Sequence, residues 1–251
     1  MISAVVLTKN EEKNIVKCLA SIEWCDEILV IDDESIDKTV DLAKKTKAHV
    51  YVHPKNDDFS SQRNFGLEKA KGEWVLFVDA DERVSSALWY EIMQYINASI
   101  KDYYGFYIKR NDNLFGKVLE HGETGNVSLL RLAKKGAGTW SGSVHEVWNV
   151  KGNTMQLKNY LEHYPHKTVE EFLKDINYYT DIKALELYRD KIKVFWPTII
   201  FLPFGKFILN YFIKRGFMDE VPGLVLALMM SFHSFLVRAK LWLLWQKDNK
   251  A

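Results

Sequence analysis

Two carboxylates one residue apart, in Asp79-Ala80-Asp81, carry the most legible chemistry in this chain. The preceding run Trp74-Val75-Leu76-Phe77-Val78 is short, apolar and β-branched, and it reads as a buried central parallel strand better than as a helix. Such a strand delivers both acids to its C-terminal edge, where ligands bind in open α/β sheets, and the two-residue step turns both side chains to the same side. Two hard anionic oxygens there suit a divalent cation, which in turn suits a diphosphate. The competing reading is that these acids only cap the helix beginning near Ser85-Ser86.

The elements that position this pair follow from hydrophobic periodicity. Ile2 to Leu7 reads as a strand ending in Thr8-Lys9-Asn10-Glu11-Glu12, followed by a helix with Ile15, Val16, Leu19 and Ile22 at helical spacing. Glu27 to Ile31 is a second strand closing on Asp32-Asp33-Glu34-Ser35-Ile36-Asp37, Thr39 to Lys47 a helix, and residues 48–52 a third strand. Phe59 to Ala70 is a helix with Gln62, Arg63 and Asn64 in its first turns, and Gly72 punctuates before Trp74. This alternation implies right-handed βαβ units and a mostly parallel sheet.

No G-x-G-x-x-G follows the first strand and no G-x-x-x-x-G-K-[ST] occurs, so phosphate must be held by side chains and metal. A carboxylate such as Asp32 at a sheet edge can accept a hydrogen bond from a base N–H, which gives recognition of a uracil-like ring a physical basis. The bland alternative is capping of the next helix, a task that suits Asp37 or Ser35.

Val6 to Glu12, Asp32 to Thr39, Gln62-Arg63-Asn64 and Asp79 to Glu82 form an ordered motif series that resembles the family 2 glycosyltransferases of GT-A fold. Within that family the chain is most similar to the lipopolysaccharide-core β-1,4-glucosyltransferases. The resemblance implies an α/β GT-A domain whose Thr8, Asn10, Glu11 and Asp32 line a uridine. It also implies that Asp79 and Asp81 serve ribose, diphosphate and a Mg2+ or Mn2+ ion, with Asp81 the principal ligand and Arg63 beside them in the donor site.

Beyond the acidic strand, Ala87 to Ile100 reads as an amphipathic helix, Tyr103 to Lys109 as a strand, Asn111 to Thr124 as a polar acceptor-side loop and Val127 to Leu132 as a strand. Arg131 within that last strand is of a type usually found at the surface or in an ion pair, yet in the resembled enzymes this strand precedes the catalytic elements, which makes Arg131 a substrate-binding candidate. Inverting transfer needs a carboxylate that deprotonates the acceptor hydroxyl, and Glu146 of Ser143-Val144-His145-Glu146 is the candidate. His145 is placed to orient Glu146 or contact phosphate. Residues 154–161 read as a strand, and His163 and His166 fall to loop structure because no further ligands accompany them at zinc spacing; the alternative is that His163 approaches the metal or diphosphate.

The net charge of +1 conceals an asymmetry: residues 1–182 balance at −5 and residues 183–251 at +6. The tail's basic residues punctuate apolar runs instead of forming a solvated patch, which favours an anionic membrane surface over nucleic acid. Its uncharged runs, Val194 to Gly205 and Val221 to Val237, fall short of the ~20 residues of a spanning helix. A monotopic anchor is the expected arrangement, with a spanning hairpin and a helical dimer interface as alternatives. The domains expected are 1–168, catalytic (1–85 nucleotide-binding, 86–168 acceptor and catalytic), and 169–251, helical and membrane-associating. Two cysteines without metal spacing read as reduced structural thiols, and the N-terminus reads as a strand instead of a signal peptide. The expected protein is a metal-dependent inverting hexosyltransferase, using a UDP-sugar donor, glucose foremost, and a lipid-linked acceptor, which the resemblance implies to be lipopolysaccharide inner-core heptose, at the cytoplasmic face of a bacterial inner membrane. A polyprenyl-phosphate acceptor and a non-catalytic sugar-nucleotide-binding scaffold are the alternatives.

Overall fold

A computed structural model describes residues 1–54, 58–98, 102–125, 127–142, 146–165 and 168–248. The chain divides into two compact units: Met1–Arg110 with Ser128–His163, and Asn111–Val127 with Tyr164–Ala251.

In the first unit, strands β1 (Ile2–Thr8), β2 (Glu27–Asp32), β3 (His49–Val52) and β4 (Trp74–Asp79) alternate with helices α1 (Ile15–Ser21), α2 (Thr39–Lys44) and α3 (Phe59–Lys69). The order β3-β2-β1-β4 is parallel throughout, with Thr8 paired to Asp32 and Leu7 to Asp79. Winding reverses between β1 and β4, and at such a switch point a crevice opens outside the C-terminal strand ends. Helices α1 and α2, with α4 (Ser86–Asn97), share one apolar cluster, whereas α3 covers the opposite face through Leu67 and Ala70. β1, β2 and β4 are buried on both faces, which is why they read as unbroken apolar runs.

Past β4 the sheet continues through β8 (Ser128–Lys134), β6 (Tyr103–Leu114), β11 (Asn153–His163) and β5 (Glu82–Val84), and the β4–β8, β8–β6 and β11–β5 pairs are antiparallel. Parallel pairing needs a covering crossover helix, and after α4 the chain supplies only short connections. Strands β9 (Gly138–Ser141) and β10 (Val147–Val150) form a separate hairpin carrying Trp140 opposite Trp148. His163, expected in a loop, ends β11 paired to Glu82.

The second unit contains the stretch read as a polar loop from Asn111 to Thr124. Strand β6 instead runs to Leu114 and turns through Phe115 and Gly116, with φ of 53° and 81°, into β7 (Lys117–Leu119). Two left-handed residues match a tight hairpin turn, and the polar composition hid it. The unit is otherwise helical: α5 (Val169–Arg189), α6 (Trp196–Ile208) continuing into a π-turn at Leu209–Ile213, a 3-10 turn at Gly216–Asp219, and α7 (Glu220–Asp248). Leu114, Leu119, Phe172, Ile176, Leu226 and Met229 form its apolar cluster. The continuous helical runs Trp196–Ile213 and Gly216–Asp248 are longer than the uncharged stretches within them, because charged side chains are accommodated inside the helices.

Candidate active site

The crevice at the C-terminal ends of β1, β2 and β4 is built from loops that brace one another. Asn10 adopts a left-handed φ of 54°, its N–H donates to Ser35 Oγ at 2.8 Å, and its Oδ1 accepts from the Ile36 N–H at 2.8 Å. The Glu11 N–H donates to Thr39 Oγ1 at 2.7 Å, so Asn10 and Glu11 hold the two loops together. Asp37 accepts from the Thr39 N–H at 2.9 Å, which gives the helix-start role to Asp37 and leaves Asp32 for other work.

Asp32 is 1% exposed; its Oδ2 accepts from the Ser35 N–H at 2.9 Å, and its Oδ1 is buried with no partner among the described residues. Thr8 Oγ1, on the register-paired residue of β1, is likewise buried without a partner among them. A buried acceptor left unpaired is costly, and two side by side on adjacent strand ends mark a place built to be completed by a ligand.

Beside them lies a buried charge network. Arg131 Nη2 donates to Asp79 Oδ2 at 2.5 Å and to Glu82 Oε1 at 3.1 Å, while Arg63 Nη2 donates to Asp79 Oδ1 at 3.1 Å. Burial by itself would raise the Asp79 pKa, but the Arg131 and Arg63 guanidiniums outweigh it and hold the carboxyl well below the usual carboxylate range. Burial pushes Glu82 up, with Arg131 offsetting only part of the effect and the Asp79 charge adding to it. For Arg131, burial acts downward, but the Asp79 and Glu82 carboxylates raise its pKa above the ordinary guanidinium value. Arg131 is therefore an ion-pair residue of the interior, 3% exposed.

The Gln62-Arg63-Asn64 motif divides its labour. Gln62 Nε2 donates to the His53 carbonyl at 2.6 Å, and Asn64 clamps the Trp140 backbone, donating to its carbonyl and accepting from its N–H, both at 2.9 Å. Between them Arg63 stacks 4.7 Å from the Trp140 ring centroid and its Nε donates to Glu146 Oε1 at 2.7 Å. Gly66 permits this placement: a Cβ there would meet Val5 Cγ1 at 2.4 Å, so only glycine brings α3 this close to β1.

Asp81 Oδ2 lies 3.1 Å from His163 Nε2. The structure thus brings Asp79, Arg63, Arg131 and Glu146 into one network and sets Asp81 against His163. Asp79, expected to share a metal with Asp81, has both oxygens engaged by guanidinium donors. His145, like His166, falls outside the described residues. Sequence reasoning missed Glu82 as a site residue, and also Arg83, whose guanidinium holds the Ala80 carbonyl at 3.0 Å and the Glu82 carbonyl at 2.7 Å and so braces the turn between the acids. The only signal was their adjacency to the Asp79-Ala80-Asp81 motif.

Among the described residues no group of three or more His, Cys, Asp or Glu side chains is arranged to hold a metal. Asp81 with His163 offers one oxygen and one nitrogen, and Mg2+-type sites with few protein ligands take the remainder from phosphates and water. In the surrounding network, four carboxylates (Asp79, Asp81, Glu82 and Glu146) stand among three guanidiniums (Arg63, Arg131 and Arg83), a residual negative charge that a cation complements. The residues present therefore fit a divalent ion bound together with a diphosphate.

A parallel half-sheet with this acidic edge, extended by antiparallel strands, defines a glycosyltransferase of the GT-A fold class. The model described as glycosyl transferase family 2 matches residues 3–161, and the chain belongs to that family. It is 30% identical over 253 residues to an uncharacterized glycosyltransferase of Rickettsia typhi, covering 96% of this chain and 86% of that one. It is 26% identical to the lipopolysaccharide core biosynthesis glycosyltransferase LpsC of Rhizobium meliloti, covering 96% and 92%. Similar solved structures include S. aureus TarS, with a TM-score of 0.46 at 18% identity over 93% of this chain and 49% of that chain. Another is glucosyl-3-phosphoglycerate synthase from Mycobacterium tuberculosis, solved with Mn2+, UDP and glucosyl-3-phosphoglycerate, with a TM-score of 0.38 at 22% identity over 45% of this chain and 44% of that one.

Proposed function

We propose that this glycosyltransferase moves a hexose, glucose foremost, from a UDP-sugar to a lipid-linked saccharide with inversion at the anomeric carbon. The observation that carries the donor assignment is the pair of buried, unpartnered oxygens Thr8 Oγ1 and Asp32 Oδ1 at the strand ends. A uracil ring presents an imide N–H that Asp32 can accept and a carbonyl that the Thr8 hydroxyl can donate to. The LpsC relative, whose name places it in lipopolysaccharide core biosynthesis, supports an inner-core acceptor, and the apolar C-terminal helices support a lipid-linked one.

In this reading Asp81 and His163 hold the divalent ion, because both oxygens of Asp79 are committed to guanidiniums. When bound, that ion supplies charge neutralisation to the diphosphate leaving group. Arg63 Nη1 is buried and has no partner among the described residues, a donor in reserve for a diphosphate oxygen. Asp79 orients Arg63 and Arg131 rather than binding metal. Glu146, fixed by Arg63 Nε, takes the proton from the acceptor hydroxyl as that oxygen forms its bond to the anomeric carbon and the bond to UDP breaks.

The test is UDP release from UDP-glucose, UDP-galactose and UDP-N-acetylglucosamine by detergent-solubilised protein, with Mn2+, Mg2+ or EDTA, and with or without lipopolysaccharide core acceptor. The expected result is turnover with one donor that needs metal and rises with acceptor. Failure to bind or turn over any UDP-sugar refutes the donor assignment, and full activity of Glu146→Gln refutes its role as base.

A further inference from the structure

Helix α6 is inside out. Its fully buried residues are Pro203 and, in the following π-turn, Asn210, which is 1% exposed; Ile199, Lys206 and Phe207 on the same side are half-buried. Lys206 Nζ donates to Glu123 Oε1 at 2.7 Å and Asn210 Nδ2 to Glu123 Oε2 at 2.9 Å, so both polar side chains turn inward to a carboxylate of the segment after β7. The other faces carry Trp196, Ile200, Phe201, Phe204, Phe212 and Ile213, each between 52% and 70% exposed. In water this arrangement is reversed, and polar groups seek solvent while aromatic groups are buried.

Helix α7 buries an apolar face of its own, with Leu226, Ala227, Met229, Val237 and Leu241, yet carries a second apolar stripe outward. Val221, Leu228, Phe232, Phe235 and Trp242 recur at steps of seven, four, three and seven residues and are 40–69% exposed, forming one apolar stripe. Its Lys240 is taken inward by α5, donating to Thr180 Oγ1 at 2.9 Å and pairing with Asp181 at 2.8 Å. Exposed Lys191, Lys193, Lys214, Arg215 and Lys247 stand near the ends of these helices. A stripe of aromatic and aliphatic side chains bordered by exposed cations complements anionic head groups over acyl chains.

The same contacts decide how deep the helices go. Along α7 runs α5, joined through Lys240, Asp181 and the Tyr188–Trp245 ring pair at 4.7 Å, and its outer face carries Glu170 and Lys174, whose side chains are 78% and 71% exposed. At the hairpin tip, Asp219 accepts from the His121 N–H at 2.9 Å and lies 2.9 Å from its ring Nδ1, and Lys117 pairs with Glu220 at 3.1 Å. A spanning hairpin would carry this charged strap and the polar coat of α5 through hydrocarbon, where the pairing of these groups repays only part of the hydration they lose.

We infer that the second unit binds an anionic lipid bilayer from one side, seating the outer face of α6 and the Val221–Trp242 stripe of α7 among the head groups, with neither helix crossing. This deepens the lipid-linked acceptor reading and rests on it for its biological sense, but its measurement does not involve glycosyl transfer. Two experiments test it on the full chain. In flotation, the protein should rise with phosphatidylglycerol vesicles, and at least tenfold less with pure phosphatidylcholine or as Phe201→Ser/Phe204→Ser, whose exposed positions leave the fold and UDP binding intact. Equal flotation of that variant, or no preference for the anionic lipid, overturns the proposal. In topology mapping, Lys214→Cys should react with a membrane-impermeant maleimide in inverted inner-membrane vesicles and not in intact spheroplasts. Labelling in spheroplasts means a spanning hairpin, and labelling from neither side means a tip buried elsewhere; each overturns it. Lost UDP binding with flotation retained strikes the donor reading alone, and the reverse strikes only the membrane face.

Discussion

Arg131→Met isolates the electrostatics of the site from its chemistry. Arg131 contacts Asp79 and Glu82 in the interior, so its removal leaves two buried carboxylates offset by Arg63 beside Asp79 and by the His163 ring. Removing one partner of a buried ion pair costs about 3–5 kcal/mol, because the remaining charge is uncompensated. At about 2–4 °C per kcal/mol for a chain of this size, Tm falls by about 6–20 °C. The pH dependence has a defined sign. In the parent, the Asp79 carboxyl sits below the ordinary range, so its contribution is present above about pH 3.9 and lost as pH falls through its depressed pKa. Without Arg131, Glu82 loses its main offsetting charge and is raised further by burial, while Asp79 keeps only the smaller lowering from Arg63 and His163. Both folded pKa values move up relative to the parent, and for a carboxyl raised in this way stability is lost as pH rises through its folded pKa. The deficit of Arg131→Met relative to the parent is therefore larger at pH 8 than at pH 5, read by thermal unfolding in detergent. Adding Asp79→Asn and Glu82→Gln should restore most of the loss, since no charge is then left unpaired. A single variant melting within about 2 °C of the parent, or losing more at pH 5, would refute the reasoning.

Four other outcomes follow from the geometry. Asp32→Asn removes a charged acceptor from the base pocket and should weaken UDP binding about 10–100-fold by calorimetry, in line with the about 1.5–3 kcal/mol of a hydrogen bond to a charged group. Glu146→Gln should lower kcat about 10²–10⁴-fold while leaving the Kd for UDP unchanged, a split that a merely structural role would not produce. Asp81→Asn and His163→Ala should each reduce the Mn2+-dependent part of UDP binding by at least about tenfold, with binding in EDTA unaffected. Burial pushes the Cys25 thiol up to about 12 and raises Cys18 as well, so at pH 8 neither should react with maleimide until the protein is denatured, when both should.

The parallel half of the fold was legible in the sequence because it is written in short-range patterns. Unbroken apolar runs specify strands buried on both faces, and amphipathic runs between them specify the crossovers, so Thr8, Asp32 and Asp79 could be placed at strand ends, and Asp81 just beyond one, without coordinates. The apolar, basic character of the tail was equally plain in composition. What only tertiary structure decided are pairings between residues far apart in the chain. Arg131 and Asp79 are separated by 52 positions, Arg63 and Glu146 by 83, and Lys206 and Glu123 by 83. No local periodicity carries such information: an arginine in a strand looks the same whether it meets solvent or two carboxylates. Glu82 was passed over because its burial comes from the pairing of β5 with β11, and that pairing also lifts His163 out of a loop and sets it against Asp81. The inverted face of α6 was hidden for the same reason. Its apolar residues show in the sequence, but the direction they face was decided by a carboxylate 83 residues away that draws Lys206 inward and leaves the aromatic side chains outside.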